Sequence, residues 1–283
     1  MRKTVLPLLA LTMSVLAFMM VAGAAHHEGL GAILAAQPDD AKARYKYRHP
    51  QETLDFLGVQ PGMTVVDTLP GEVWYTGILL SYLGPDGTVI GADYPSEMWA
   101  QFGYSEEYLA TKKNWARDWT AKAETWRDDD SASVSAFVLG SLPVSMHGTA
   151  DVVLFVRALH NLAYTAPDAR NLTAAIKNAY DILKPGGIVG VVQHEARDNM
   201  PDSWADGENG YLKKAYVIEM MEAGGFELVA ESAMNENSKD VPTVEQFVWR
   251  LPPGYSGAET AEAKAKVDAI GESNRMTLKF RKS

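Results

Sequence analysis

Four short stretches of this 283-residue chain place polar or titratable side chains directly after a β-branched, apolar run. Asp67 closes Val65-Val66 and leads through Pro70-Gly71 into the apolar segment ending at Leu83. Asp93 closes Thr88-Val89-Ile90-Gly91-Ala92, and Arg157, His160 and Asn161 fall within five residues after Asp151–Val156. His194 follows Ile188–Gln193 in the same way. A strand that passes through a glycine turn into a helix start offers free backbone N–H groups and close approach to a ligand. Gly71 is the glycine of that turn; Glu72 and Val73 stand where a richer loop has glycines, and each Cβ narrows the space left to a nucleoside. An acid ending the next strand suits ribose hydroxyls, or alternatively a cap for the helix at Pro95-Ser96-Glu97. His160, with an ordinary pKa near neutrality, suits a general base or a structural tie between loops, and His194 shares its edge. No metal is expected: neither histidine begins an H-E-x-x-H pattern and no third ligand is indicated. Nucleophile-elbow and P-loop patterns are absent.

The elements that must position these residues alternate. A helix begins at His49-Pro50 and ends at Gly58; a strand Met63–Asp67, a helix Val73–Leu83 and a strand Thr88–Asp93 follow. Further strands are expected at Val134–Leu139, Asp151–Val156, Ile188–Gln193, Phe226–Glu231 and Met276–Arg281, with helices at Pro167–Leu183 and Tyr211–Ala223 and a turn at Lys184-Pro185-Gly186-Gly187. Strands spaced by helices predict an α/β sheet covered on both faces, which binds ligands at the carboxyl ends of its strands. Residues 95–128 carry Trp99, Trp115, Trp119 and Trp126 on polar helices, residues 26–38 read as a loose arm, and 41–49 are basic and helical. Asn235 to Asn274 is a long polar excursion, either a cover over the site or a surface arm.

Arg2 and Lys3, the apolar run Val5–Val21 and Ala22-Gly23-Ala24 read as a cleavable export signal over residues 1–24, which predicts a periplasmic or secreted protein. The divisions expected are this leader, an arm and helix over 25–47, and one domain over 48–283. Cleavage before Ala25 would expose Ala25-His26-His27, a pattern able to chelate Cu(II), though coincidence near a cleavage site is the simpler explanation. There is no cysteine, and 26 basic against 36 acidic residues give a net charge of -10. That balance disfavours nucleic acid or anionic membrane as partner and leaves a small molecule. Oligomeric state is not legible.

Taken together the chain resembles class I S-adenosylmethionine-dependent methyltransferases, and more narrowly the exported bacterial predicted-methyltransferase family. The likeness rests on H-P-Q-E-T-L-D-F-L-G-V-Q-P-G-M-T-V-V-D from His49, P-G-E-V-W-Y-T from Pro70, V-R-A-L-H-N from Val156, L-K-P-G-G from Leu183, N-S-K-D from Asn237 and I-G-E-S-N-R-M-T-L-K-F from Ile270. It implies a Rossmann-like, seven-stranded mixed sheet whose last strand inserts antiparallel beside the strand begun at Phe226. S-adenosylmethionine would lie over Asp67, Gly71, Trp74, Tyr75 and Thr76 with Asp93 on its ribose; Arg157, His160, Asn161, His194, Tyr75 and Arg275 match polar positions near the cleft. The family turn reads P-G-G-G-W-Y-T, from which Glu72 and Val73 depart. The resemblance implies methyl transfer to a small molecule; the departure leaves open a fold that has lost this cofactor and handles another small molecule. A structural or protein-binding module is a third reading, predicting a blocked cleft and exposed tryptophans between 99 and 126.

Overall fold

The computed structural model describes residues 29–71, 73–166 and 168–283. The expected export signal over residues 1–24, His26-His27 and Glu72 lie outside them. Seven strands form one sheet: β1 (Thr64–Thr68), β2 (Thr88–Asp93), β3 (Ser133–Val138), β4 (Ala150–Val156), β5 (Leu183–His194), β6 (Phe226–Ser232) and β7 (Arg275–Lys282), in the spatial order β3-β2-β1-β4-β5-β7-β6. The first five run parallel, and β7 lies between β5 and β6 antiparallel to both. This is the expected Rossmann-like class I methyltransferase topology, with the expected antiparallel closing strand. Strand order reverses between β1 and β4, the point at which such sheets open a crevice.

The strands are apolar at successive positions because both faces are covered. Val65, Val89, Val152 and Leu154 point to one face, where Leu54, Leu57, Ile78, Leu79 and Trp119 pack on them. Val66, Ile90, Val153 and Phe155 point to the other, against Leu159, Leu162, Leu172, Ile176 and Val217. Gly91 is required on β2: a Cβ there would meet the Trp119 ring at 2.8 Å.

The helices are α1 (29–36), α2 (Asp39–Lys42), α3 (Tyr45–Arg48), α4 (Pro50–Leu57), α5 (Trp74–Leu83), α6 (Ser96–Trp99), α7 (Glu106–Lys112), α8 (Trp115–Glu124), α9 (Leu159–Tyr164), α10 (Arg170–Ile182), α11 (Lys214–Ala223) and α12 (Ala261–Ile270). Three local expectations change. The arm is helical over 29–36, because Leu30 and Leu34 sit one turn apart and both enter the core. Lys184–Gly187 loops out within β5, where Ala150 pairs with Leu183 but Val152 already pairs with Ile188. The helix expected from Tyr211 begins at Lys214, since Tyr211 is fully buried and its hydroxyl donates to Asp240 at 2.8 Å. No helix among the described residues is long and apolar enough to cross a membrane.

Candidate functional site

Two neighbouring strands end in the same unusual way. Leu69 after β1 and Arg157 after β4 each donate one last N–H to the sheet, at 2.7 Å to Ala92 and Val192, then turn with φ of 57° and 56°. Left-handed backbone is costly for residues with a Cβ, and here it peels both chains away from the sheet at its crevice. The turn continues through Gly71 (φ 51°) and Val73 (φ 70°), the residue that opens α5 without a side-chain cap.

Leu69, Pro70, Gly71, Val156 and Arg157 therefore form a partition with a cavity on either side. The first, of about 680 Å³, is bordered by Asp67, Gly71, Trp74, Tyr75, Arg44 and Arg48. The second, of about 500 Å³, is bordered by Asp93, Trp99, Trp115, Trp119, His160, Asn161, His194 and Trp249. Arg157 borders both. Thr76 and Arg275 border neither and act from behind: Thr76 Oγ1 donates to Asp67 at 2.7 Å, and Arg275 pairs with Glu272. Trp99 and Trp119 are buried rather than exposed.

The two strand-end acids differ. Burial pushes Asp67 up to about 6, against the opposing hydrogen bonds from Thr76. Asp93 is also raised by burial, with Lys112 pulling the other way; Lys112 Nζ donates to Asp93 Oδ2 at 2.8 Å, and the Tyr94 N–H donates to Oδ1. Lys112 Nζ also lies 3.7 Å from the centre of the Trp99 ring, a close cation–π contact. Asp93 does not cap α6, whose N-cap is Pro95 with no side-chain bond.

His160 and His194 lie side by side, ring centres 5.4 Å apart. Gln193 fixes the first: its amide nitrogen donates to the Gly210 carbonyl at 3.0 Å, so its oxygen is left to accept from His160 Nδ1 at 3.3 Å. His160 then carries its proton on Nδ1 and presents a bare Nε2. His194 Nδ1 meets Ser273 Oγ at 2.6 Å, and Ser273 already accepts from Arg275 Nε. The Ser273 proton is thus free to donate to His194, which puts the His194 proton on Nε2. Burial holds both rings neutral, His160 at about 4 and His194 well below its usual range, with neighbouring cations adding to the effect.

Behind the first cavity, Glu272 is buried among arginines. Arg44 Nε donates to it at 2.7 Å, Arg48 Nε at 3.3 Å, and Arg275 adds a third guanidinium. Burial alone would raise this acid; Arg275, Arg48 and Arg44 outweigh it and hold it at about 2. Arg48 stacks 4.7 Å from the centre of the Trp74 ring, and burial with Arg44 and Arg275 draws it down to about 10.

The sequence motifs brought Asp67, Asp93, Arg157, His160 and His194 to one cleft. They did not reveal Lys112, Trp249, Gln193 or the buried Glu272 cluster. The basic run 41–49 was the available signal for Arg44 and Arg48, and the tail motif from Ile270 held Glu272 and Ser273 without disclosing their partners.

No protein-family model and no curated protein sequence matches this chain. Among solved structures, the [4+2]-cyclase SpnF shares the fold with a TM-score of 0.50 and 16% identity, over 83% of this chain and 80% of its own. A SAM-dependent methyltransferase from Aquifex aeolicus aligns with a TM-score of 0.49 and 15% identity, over 87% and 99%. A Burkholderia thailandensis 1,6-didemethyltoxoflavin-N1-methyltransferase aligns with a TM-score of 0.45 and 14% identity, over 100% and 93%. At such identities the likeness concerns the fold. The sheet order, the inserted β7 and the crevice between β1 and β4 define a class I methyltransferase-like α/β protein.

Proposed function

We propose that this protein is an exported, S-adenosylmethionine-dependent methyltransferase acting on a small molecule. The observation that carries the reading is the paired cavity at the strand-order reversal, floored by the Gly71 turn and flanked by the acids that end β1 and β2. The residues present fit the cofactor in space and in charge. The larger cavity leaves Gly71 without a Cβ on its wall and Arg48 at its border suits a carboxylate, while Asp93, across the partition, suits ribose hydroxyls. Thr68 Oγ1 and Trp119 Nε1 around the cleft are buried with no hydrogen-bond partner among the described residues, as in a site that receives polar groups.

When bound, the cofactor supplies an electrophilic methyl group. The chain's own contribution is to orient the acceptor between the partition and Trp249, to exclude water with aromatic walls, and to accept any acceptor proton at His160 Nε2. Export is supported by the leader at residues 1–24 alone.

A second reading is favoured by one contact. Lys112 already occupies Asp93, the carboxylate expected to hold ribose, and the same fold carries a [4+2]-cyclase. Fold therefore does not fix the reaction, and the cleft would then serve a different small molecule. Titration calorimetry of the mature protein with S-adenosylmethionine and S-adenosylhomocysteine separates the two. Saturable heat from both supports methyl transfer; no heat at millimolar ligand from a folded sample would leave the second reading standing.

A further inference from the structure

Arg157 is the cation in this cleft that no acid among the described residues pairs with. Arg44, Arg48 and Arg275 all converge on Glu272, and Lys112 is committed to Asp93. The Arg157 side chain makes no hydrogen bond or ion pair among the described residues, although its backbone is held left-handed immediately after β4 and it borders both cavities. A guanidinium offers five donors in a planar fork that matches a carboxylate. Burial and the nearby Arg48 and Arg275 draw Arg157 down to about 9, and Glu272 opposes them only in part. The acid nearest on the other side, Asp93, is neutralised by Lys112 and offers little repulsion to an incoming anion.

The cavity beside it is aromatic. Trp99, Trp115, Trp119 and Trp249 contribute to a space of about 500 Å³, which suits one or two fused rings, and Trp249 is 40% exposed at its mouth. We propose that this cavity binds a planar aromatic carboxylate, with the carboxylate on Arg157 and the rings among the tryptophans.

On the methyl-transfer reading this ligand is the acceptor, and the proposal deepens that reading by naming its class. A carboxylate oxygen would take the methyl group as the sulfonium C–S bond breaks, giving a neutral methyl ester and S-adenosylhomocysteine, with no proton for His160 to remove. The binding itself does not depend on the cofactor, so it is tested apart from it.

The test is titration calorimetry of the mature protein with 2-naphthoate and its neutral analogue 2-naphthamide, alone and with millimolar S-adenosylhomocysteine. Naphthoate is expected to bind at least about tenfold more tightly than the amide, a difference of roughly 1.4 kcal/mol. Arg157→Gln should abolish that preference while amide binding stays unchanged, and Arg157→Lys should restore part of it. Trp249→Ala, a change at the surface, should weaken both ligands alike and serves where Arg157→Gln does not fold. Equal affinity for acid and amide, or no naphthoate binding under either condition, would overturn the proposal. Failure of S-adenosylhomocysteine to bind while naphthoate binds would sink the methyltransferase reading and leave this one intact.

Discussion

The two halves of the cleft bury charge in opposite ways. On the aromatic side one acid meets one cation: Asp93 is paired with Lys112, whose ammonium also rests on Trp99. On the basic side Glu272 meets three arginines, and Arg157 stands beyond them without a hydrogen-bond or ion-pair partner among the described residues. The first arrangement is electrically closed; the second keeps surplus positive charge. The difference locates the place where an anion gains most, and it identifies Glu272 as the group that makes three guanidinium ions tolerable in one place.

Removing that group should therefore have the largest effect. Glu272→Gln leaves three neighbouring guanidinium ions without a counter-charge, and breaking a buried network of this kind costs about 3–5 kcal/mol. Urea denaturation at neutral pH is expected to show a loss in that range. A loss under about 1 kcal/mol would mean that solvent screens the cluster and that the two halves do not differ as described.

Asp67, near the end of β1 at the border of the basic half, gives an effect of opposite sign. Its folded pKa of about 6 lies above the value of 3.8 normal for the unfolded chain. The folded state thus binds the extra proton between those values, so stability is greatest below about 3.8 and is lost as pH rises through about 6. Asp67→Asn removes this dependence and should raise stability at pH 7 by on the order of 2 kcal/mol, a gain that shrinks toward pH 4. His160, held at about 4, works the other way: the unfolded chain binds the proton between about 4 and 6.5, so its contribution falls as pH falls through that window. Melting temperatures of the wild type and of Asp67→Asn between pH 4 and 8 check both signs.

Lys112→Met tests whether the aromatic half is closed by choice of partner. Losing the ion pair should cost about 1–2 kcal/mol, less than the Glu272 change, because Lys112 lies at the cleft edge and Asp93 keeps the Tyr94 N–H. If Asp93 is a ribose acceptor, the same variant should bind S-adenosylhomocysteine more tightly by calorimetry. Unchanged or weaker binding would show that Lys112 does not compete for that carboxylate.

Much of this fold was readable because its causes are local. β-Branched, apolar runs of five to seven residues between glycine and proline turns gave β1, β2 and β4 within a residue or two, and the resemblance supplied the antiparallel insertion of β7. Function-bearing contacts were less legible because they join distant segments. Arg44 and Glu272 are separated by 228 positions, and nothing in a short basic run names the acid it will enclose. Lys112 reads as an ordinary charge on a polar helix until α7 is laid beside β2. Residues 29–36 of the expected loose arm are helical because burial of Leu30 and Leu34, visible only once the core is assembled, holds them there.

The smallest effect concerns Val73, which the sequence marked as a departure from a glycine. A β-branched residue at φ 70° suffers a backbone penalty of about 1–2 kcal/mol, which glycine escapes. Glycine also gains freedom in the unfolded chain, worth about 0.4–1 kcal/mol against folding. The difference predicts that Val73→Gly stabilises the protein by about 0.5–1 kcal/mol in urea denaturation. The same change clears a side chain from the border of the larger cavity, and so it separates two explanations of the departure. Added stability together with tighter S-adenosylhomocysteine binding would mean that Val73 obstructs the basic half. Added stability alone would leave as the obstacle either the other departure, Glu72, or the Asp93–Lys112 pair in the half that has already satisfied its charge.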